Sequence, residues 1–166
     1  MRSVNDLGIP LAVAARKDFT NAYRLADQVT AECIAIDDCL LGFTKTHHRA
    51  WDWLKEGDSE WSVVLDDEAV PIPDFRRKLN LALLQAPSPI VSLYYPSDDH
   101  SEELHWVTSL HLWDCLGLAV KTILIPSMME WIVDMEPLEL AIAQWAQQNH
   151  FEISYVRPSL VERKEL

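Results

Sequence analysis

The stretch Glu60-Trp61-Ser62-Val63-Val64-Leu65-Asp66-Asp67-Glu68-Ala69-Val70-Pro71 decides how the chain is read. Positions 61–65 form a short apolar run with aromatic and β-branched residues, which predicts a buried strand. It runs straight into three acids, and Ala69, Val70 and Pro71 then stop the run. Carboxylates repel one another and are costly to bury unpaired. Three of them at a strand end therefore suggest an open loop or a bound cation. Oxygen ligands of this type suit a hard divalent ion such as magnesium or manganese.

On either side of this stretch, apolar runs alternate with helical patterns. Residues 9–15 predict a first strand, followed by Arg16 and Lys17. A helix over 19–29 has Ala22, Leu25, Ala26 and Val29 on one face, with Asp18 as its cap. Residues 33–36 predict a second strand ending in Asp37 and Asp38. Thr44 or Thr46 can cap the next helix, which carries His47, His48, Arg49 and Trp51 and stops by Gly57. After the central strand, Pro71 and Pro73 make a turn and Asp74 opens a helix with Phe75, Leu79, Leu83 and Leu84 inward. Residues 89–95 are a fourth strand and 96–101 a polar loop. Residues 105–113 fit no single pattern. A strand over 117–120, helices starting at Pro126 and Pro137, and an alternating strand over 151–156 follow. Residues 157–166 read as a polar tail.

Strand–helix alternation predicts a single α/β domain over residues 1–166 with a mostly parallel sheet. Ligands of such sheets lie beyond the carboxyl ends of the strands. Three predicted strands end in polar residues: Arg16-Lys17, Asp37-Asp38 and Asp66-Asp67-Glu68. There is no G-x-G-x-x-G and no G-x-x-x-x-G-K-[ST], so dinucleotide and P-loop fingerprints are excluded. A net charge of −12 argues against a direct nucleic-acid surface. Three cysteines without a C-x-x-C pair argue against structural zinc or a disulfide framework and fit a reducing compartment. No run approaches the ~18 apolar residues of a membrane span, so a cytoplasmic protein is expected. Seven tryptophans serve core, interface or sugar-stacking roles alike.

These residues resemble GT-A-fold glycosyltransferases, in particular short family-25-like and phage-encoded members. Trp61 to Pro71 is similar to their hydrophobic strand with an acidic D-x-D or E-D-D motif before A-V. Thr46-His47-His48-Arg49-Ala50-Trp51 is similar to the helix before that strand. Gly117-Leu118-Ala119-Val120 through Ile125-Pro126-Ser127-Met128 looks like their central strand and following helix. Pro158-Ser159-Leu160-Val161-Glu162 resembles a C-terminal P-S-L-V-D-H. The resemblance implies a compact GT-A-like three-layer sandwich and transfer of a sugar from a nucleotide sugar to an acceptor hydroxyl. It implies a divalent metal, manganese or magnesium, on Asp67 and Glu68. Ala15, Arg16, Asp37, Asp38, Arg49, Asp66 and Arg163 are then expected beside the nucleotide sugar. Asp114, next to Trp113, is the expected general base. A protein or glycan acceptor is expected over DNA, without membrane attachment, and a second copy or a phage or host protein is a possible partner.

This chain departs from the family at two positions. Glu68 stands where aspartate is usual, one methylene longer. Arg163 stands where the C-terminal histidine is expected, and as a cation it can contact phosphate directly. A degenerate relative kept for binding or structure is therefore the main alternative. A metal-dependent hydrolase or nucleotidyltransferase-like domain is a third.

Overall fold

The computed structural model describes residues 8–16, 19–37, 42–96, 103–133 and 135–164. A sheet of seven strands has the order β2-β1-β3-β7-β5-β8-β6. These are β1 Leu11–Ala15, β2 Cys33–Ile36, β3 Trp61–Asp66, β5 Ile90–Ser92, β6 His105–Ser109, β7 Gly117–Lys121 and β8 Ile153–Arg157. The pairs β1–β2, β1–β3 and β5–β8 are parallel. The pairs β3–β7, β5–β7 and β6–β8 are antiparallel. The α/β class holds, and the sheet is mixed: β7 runs against both of its neighbours, between two parallel groups.

Alternation within β1 sorts the core. Leu11, Val13 and Ala15 face one apolar cluster, with α1 (Phe19–Val29) and α3 (Phe75–Leu84). Ala12 and Ala14 face the other, with α2 (Phe43–Leu54), α4 (Ile125–Ile132) and α5 (Leu138–Gln148). Strand residues that are apolar on both sides need cover on both sides, so helices lie on both faces of the sheet.

The helix starts follow local chemistry with one correction. Asp74 precedes α3, Pro137 precedes α5, and a proline lies in the first turn of α4. Neither Thr44 nor Thr46 caps α2. Gly42 is its N-cap, and both threonines are buried inside the helix. The Thr46 hydroxyl donates instead to the Gly42 carbonyl, at 2.7 Å. Asp18 lies outside the described residues.

A two-stranded sheet is the feature the sequence left unread. Residues after the acids form β4, Ala69–Pro71, antiparallel to β9, Val161–Arg163. The segment read as a polar tail is thus a strand bound to the acidic loop. Residues 105–109 form the sheet's edge strand β6.

Candidate functional site at the strand ends

The parallel register of β1 and β3 sets Ala14 opposite Asp66, so both strands end at one edge of the sheet. The acidic loop is anchored there on both sides. Asp67 N donates to Ala14 O at 3.1 Å, and Asp66 N to Leu116 O at 2.9 Å. The second bond brings the loop that enters β7, with Asp114, to the same edge. Lys164 N donates to Glu68 O at 2.8 Å, which brings β9 and Arg163 in from the third side.

Each acid has a different occupation. Asp66 is buried, at 2% exposure. Arg16 Nε lies 3.0 Å from its Oδ1 and Arg16 Nη2 3.4 Å from its Oδ2. His47 Nε2 lies 3.2 Å from Oδ1, and an ionised carboxylate only accepts, so this nitrogen carries the proton. Burial pushes the Asp66 carboxyl up, but the hydrogen bonds and charge of His47 and Arg16 outweigh it and hold it below its ordinary value. Arg16 is in turn desolvated, yet Asp66, Asp67 and Glu68 hold its pKa above its ordinary value. Its guanidinium lies over the Phe43 ring, 4.4 Å from the centroid.

Asp67 is fully buried. Its Oδ2 accepts the backbone N–H of Arg16 at 2.8 Å, and its carbonyl accepts Asn21 Nδ2 at 2.5 Å. It therefore ties the end of β1 to α1. Glu68 is partly exposed and accepts Arg163 Nη1 at 2.5 Å, with Arg16 Nη2 at 4.0 Å. Arg163 Nη2 also donates to Asp114 Oδ2, so one guanidinium bridges two carboxylates. Burial lowers the pKa of Arg163, but Asp114 and Glu68 raise it further.

This arrangement does not fit a divalent ion on Asp67 and Glu68. Among the described residues no group of three His, Cys, Asp or Glu side chains is disposed to hold one. Asp67 is turned into the β1–α1 junction, and the Glu68 carboxylate is engaged by a guanidinium. The structure thus gives those two residues other tasks than the expected metal motif.

The remaining expected residues divide. Ala15 is fully buried in the core, so only its backbone reaches the edge, where its carbonyl accepts Asp37 N at 3.0 Å. Asp37 Oδ2 accepts Gly42 N at 3.0 Å and so organises the approach to α2. Asp38 lies outside the described residues. Arg49 Nη1 donates to Ile36 O at 2.9 Å and lines a separate depression of about 420 Å³ with His48 and Asp52. His47, Phe43 and Asn21 belong to the cluster although they were not expected there. Phe43 and His47 are i and i+4 on α2 with ring centroids 4.3 Å apart, a helical spacing that could have flagged them.

Beside the cluster opens a cavity of about 740 Å³. Gly42 and Phe43 line one side, Trp113 and Asp114 a second, and Glu136 and Glu139 a third. Asp114 thus belongs to the cavity wall and to the Arg163 bridge.

The fold has a viral counterpart. The solved structure of A197 from STIV matches with a TM-score of 0.54 at 13% identity, over 93% of this chain and 83% of that one. At that identity the likeness concerns the fold alone. No family model and no curated protein matches the sequence. No helix among the described residues is long and apolar enough to cross a membrane.

Proposed function

We propose that the chain is a GT-A-like glycosyltransferase that takes a nucleotide sugar at this edge and transfers the sugar to an acceptor hydroxyl. One observation carries the reading: two arginines and a carboxylate from three separate segments, Arg16, Arg163 and Asp114, converge on the strand ends, and Asp114 also lines the neighbouring cavity. Arg163 is the more exposed arginine of that set, at 41% against 17% for Arg16. It can exchange a carboxylate for a phosphate oxygen, because guanidinium binds both by the same bidentate geometry. Giving up Asp114 frees that carboxylate to accept the acceptor's proton. The acceptor oxygen then attacks the anomeric carbon, the bond from that carbon to the diphosphate oxygen breaks, and the leaving diphosphate takes the electron pair beside Arg163.

The second reading is a binding or structural protein on the same fold. The existing pairing of Asp66 and Glu68 with arginines favours it, since a satisfied ion-pair network needs no ligand. Thermal shift with a panel of nucleoside diphosphates and nucleotide sugars, with manganese or with EDTA, separates the two. Glycosyl transfer predicts a rise in melting temperature with a nucleotide sugar that persists in EDTA and is lost in Arg163→Ala. A panel without any shift would leave only the second reading.

A further inference from the structure

We propose that the cavity beside the acid cluster is a binding site for a neutral, hydroxyl-rich ligand, a sugar, stacked on the indole of Trp113. The proposal deepens the glycosyltransferase reading by assigning the acceptor's class, and it rests on that reading only for the word acceptor.

Trp113 is the first reason. It stays 49% exposed although it lies in a concavity. It is also held in place. Its backbone N–H donates to the Tyr155 hydroxyl at 3.2 Å, and that hydroxyl donates to the His111 carbonyl at 2.6 Å. Tyr155 packs against the indole with centroids 5.0 Å apart, and Tyr95 meets it edge-on at 5.7 Å. Burial pushes the Tyr155 phenol well above its ordinary pKa, so this hydroxyl stays protonated and keeps donating. An aromatic surface fixed from behind and open in front loses little entropy on binding. Its apolar face matches the C–H face of a pyranose.

The walls give the second reason. Asp114, Glu136 and Glu139 present acceptor oxygens and no donor, which suits a ligand rich in hydroxyl donors. No lysine or arginine is among the cavity's described lining residues, whereas the strand-end edge holds the guanidiniums of Arg16 and Arg163, so the cavity suits a neutral ligand better than a phosphate. Asp114, shared by both, puts the two ligands in contact at one carboxylate. The volume of about 740 Å³ lies within the ordinary range for small-molecule sites.

Saturation-transfer NMR on the full chain without nucleotide tests this. The probes are methyl glucoside, methyl galactoside, N-acetylglucosamine and lactose, with ethanolamine as a small cation. At least one saccharide should receive saturation on its ring C–H protons. Its affinity should fall about tenfold or more in Trp113→Leu and less in Trp113→Phe. Glu139→Gln should weaken it, and Trp131→Leu, at another exposed tryptophan, should not. Two variants at Trp113 keep the test open if one fails to fold. No signal from any saccharide, equal signals in wild type and both Trp113 variants, or binding of ethanolamine alone would overturn the proposal. A saccharide that binds while no nucleotide sugar shifts the melting temperature would remove glycosyl transfer and leave the sugar site standing.

Discussion

Asp66 shows why a strand ending in acids folds at all. A carboxylate at 2% exposure would be prohibitive alone, and here two cationic or donor side chains meet it. Removing a partner from such a buried set commonly costs about 3–5 kcal/mol. Asp66→Asn should therefore lower stability by about 3 kcal/mol or more in urea unfolding at pH 7. The pH dependence has a definite sign. The folded-state pKa lies below the unfolded value, so the contribution is complete above about pH 5. It is lost as the pH falls through the folded value, below the usual carboxylate range. The gap between wild type and Asp66→Asn should narrow between about pH 4 and pH 2. A gap constant over that interval would mean that Asp66 does not exchange its proton there. None of these pairings could be read from sequence, because His47 is 19 residues away and Arg16 is 50. The acids themselves were legible, since three carboxylates after an apolar run are conspicuous in any fold.

At the level of elements, legibility followed the length of the apolar run in the sequence. β1, α1, β2 and β3 carry apolar patterns long enough to show a period, and they lie where expected. β4 and β9 have three residues each, too few for alternation to register. Their pairing depends on chain ends meeting in space, and it moves Arg163 from a tail into the site. β6 escaped because an edge strand with partly exposed side chains lacks a clean apolar face. The expected parallel sheet became mixed because β7 enters from the site edge and runs back between β3 and β5. Gly117 makes that entry possible. A Cβ there would lie 3.1 Å from Leu65 Cδ2, 3.2 Å from Leu93 Cβ and 3.3 Å from Val161 Cγ2. Those three neighbours belong to β3, to the residue that follows β5 and to β9, and each must give by a few tenths of an ångström. Gly117→Ala should cost about 1–3 kcal/mol by overpacking. The measurement is a shift of the urea midpoint with an unchanged slope. A neutral result would show that β9 moves freely against β7 and does not fix Arg163.

Across the whole molecule, 26 acids face 14 lysines and arginines. Charge of one sign on a folded surface repels itself and weakens the compact state. Four carboxylates, Asp66, Asp67, Glu68 and Asp114, share one edge with the two guanidiniums of Arg16 and Arg163, which leaves that edge net acidic as well. The two kinds of electrostatics respond differently to salt. Exposed repulsion is screened at a Debye length of about 8–10 Å, while the buried Asp66 pair is screened much less. Raising sodium chloride from about 0.01 M to about 0.15 M shortens that length from about 30 Å to about 8 Å. The melting temperature at pH 7 should therefore rise with salt over this range, because repulsion fades while the buried pair persists. Asp66→Asn should rise in parallel with wild type, since it alters the buried pair and not the surface field. A melting temperature that falls with salt would mean that exposed ion pairs such as Arg163–Glu68 outweigh the net repulsion. In that case the Arg163 bridge would be a stabilising element as well as a ligand-exchange point.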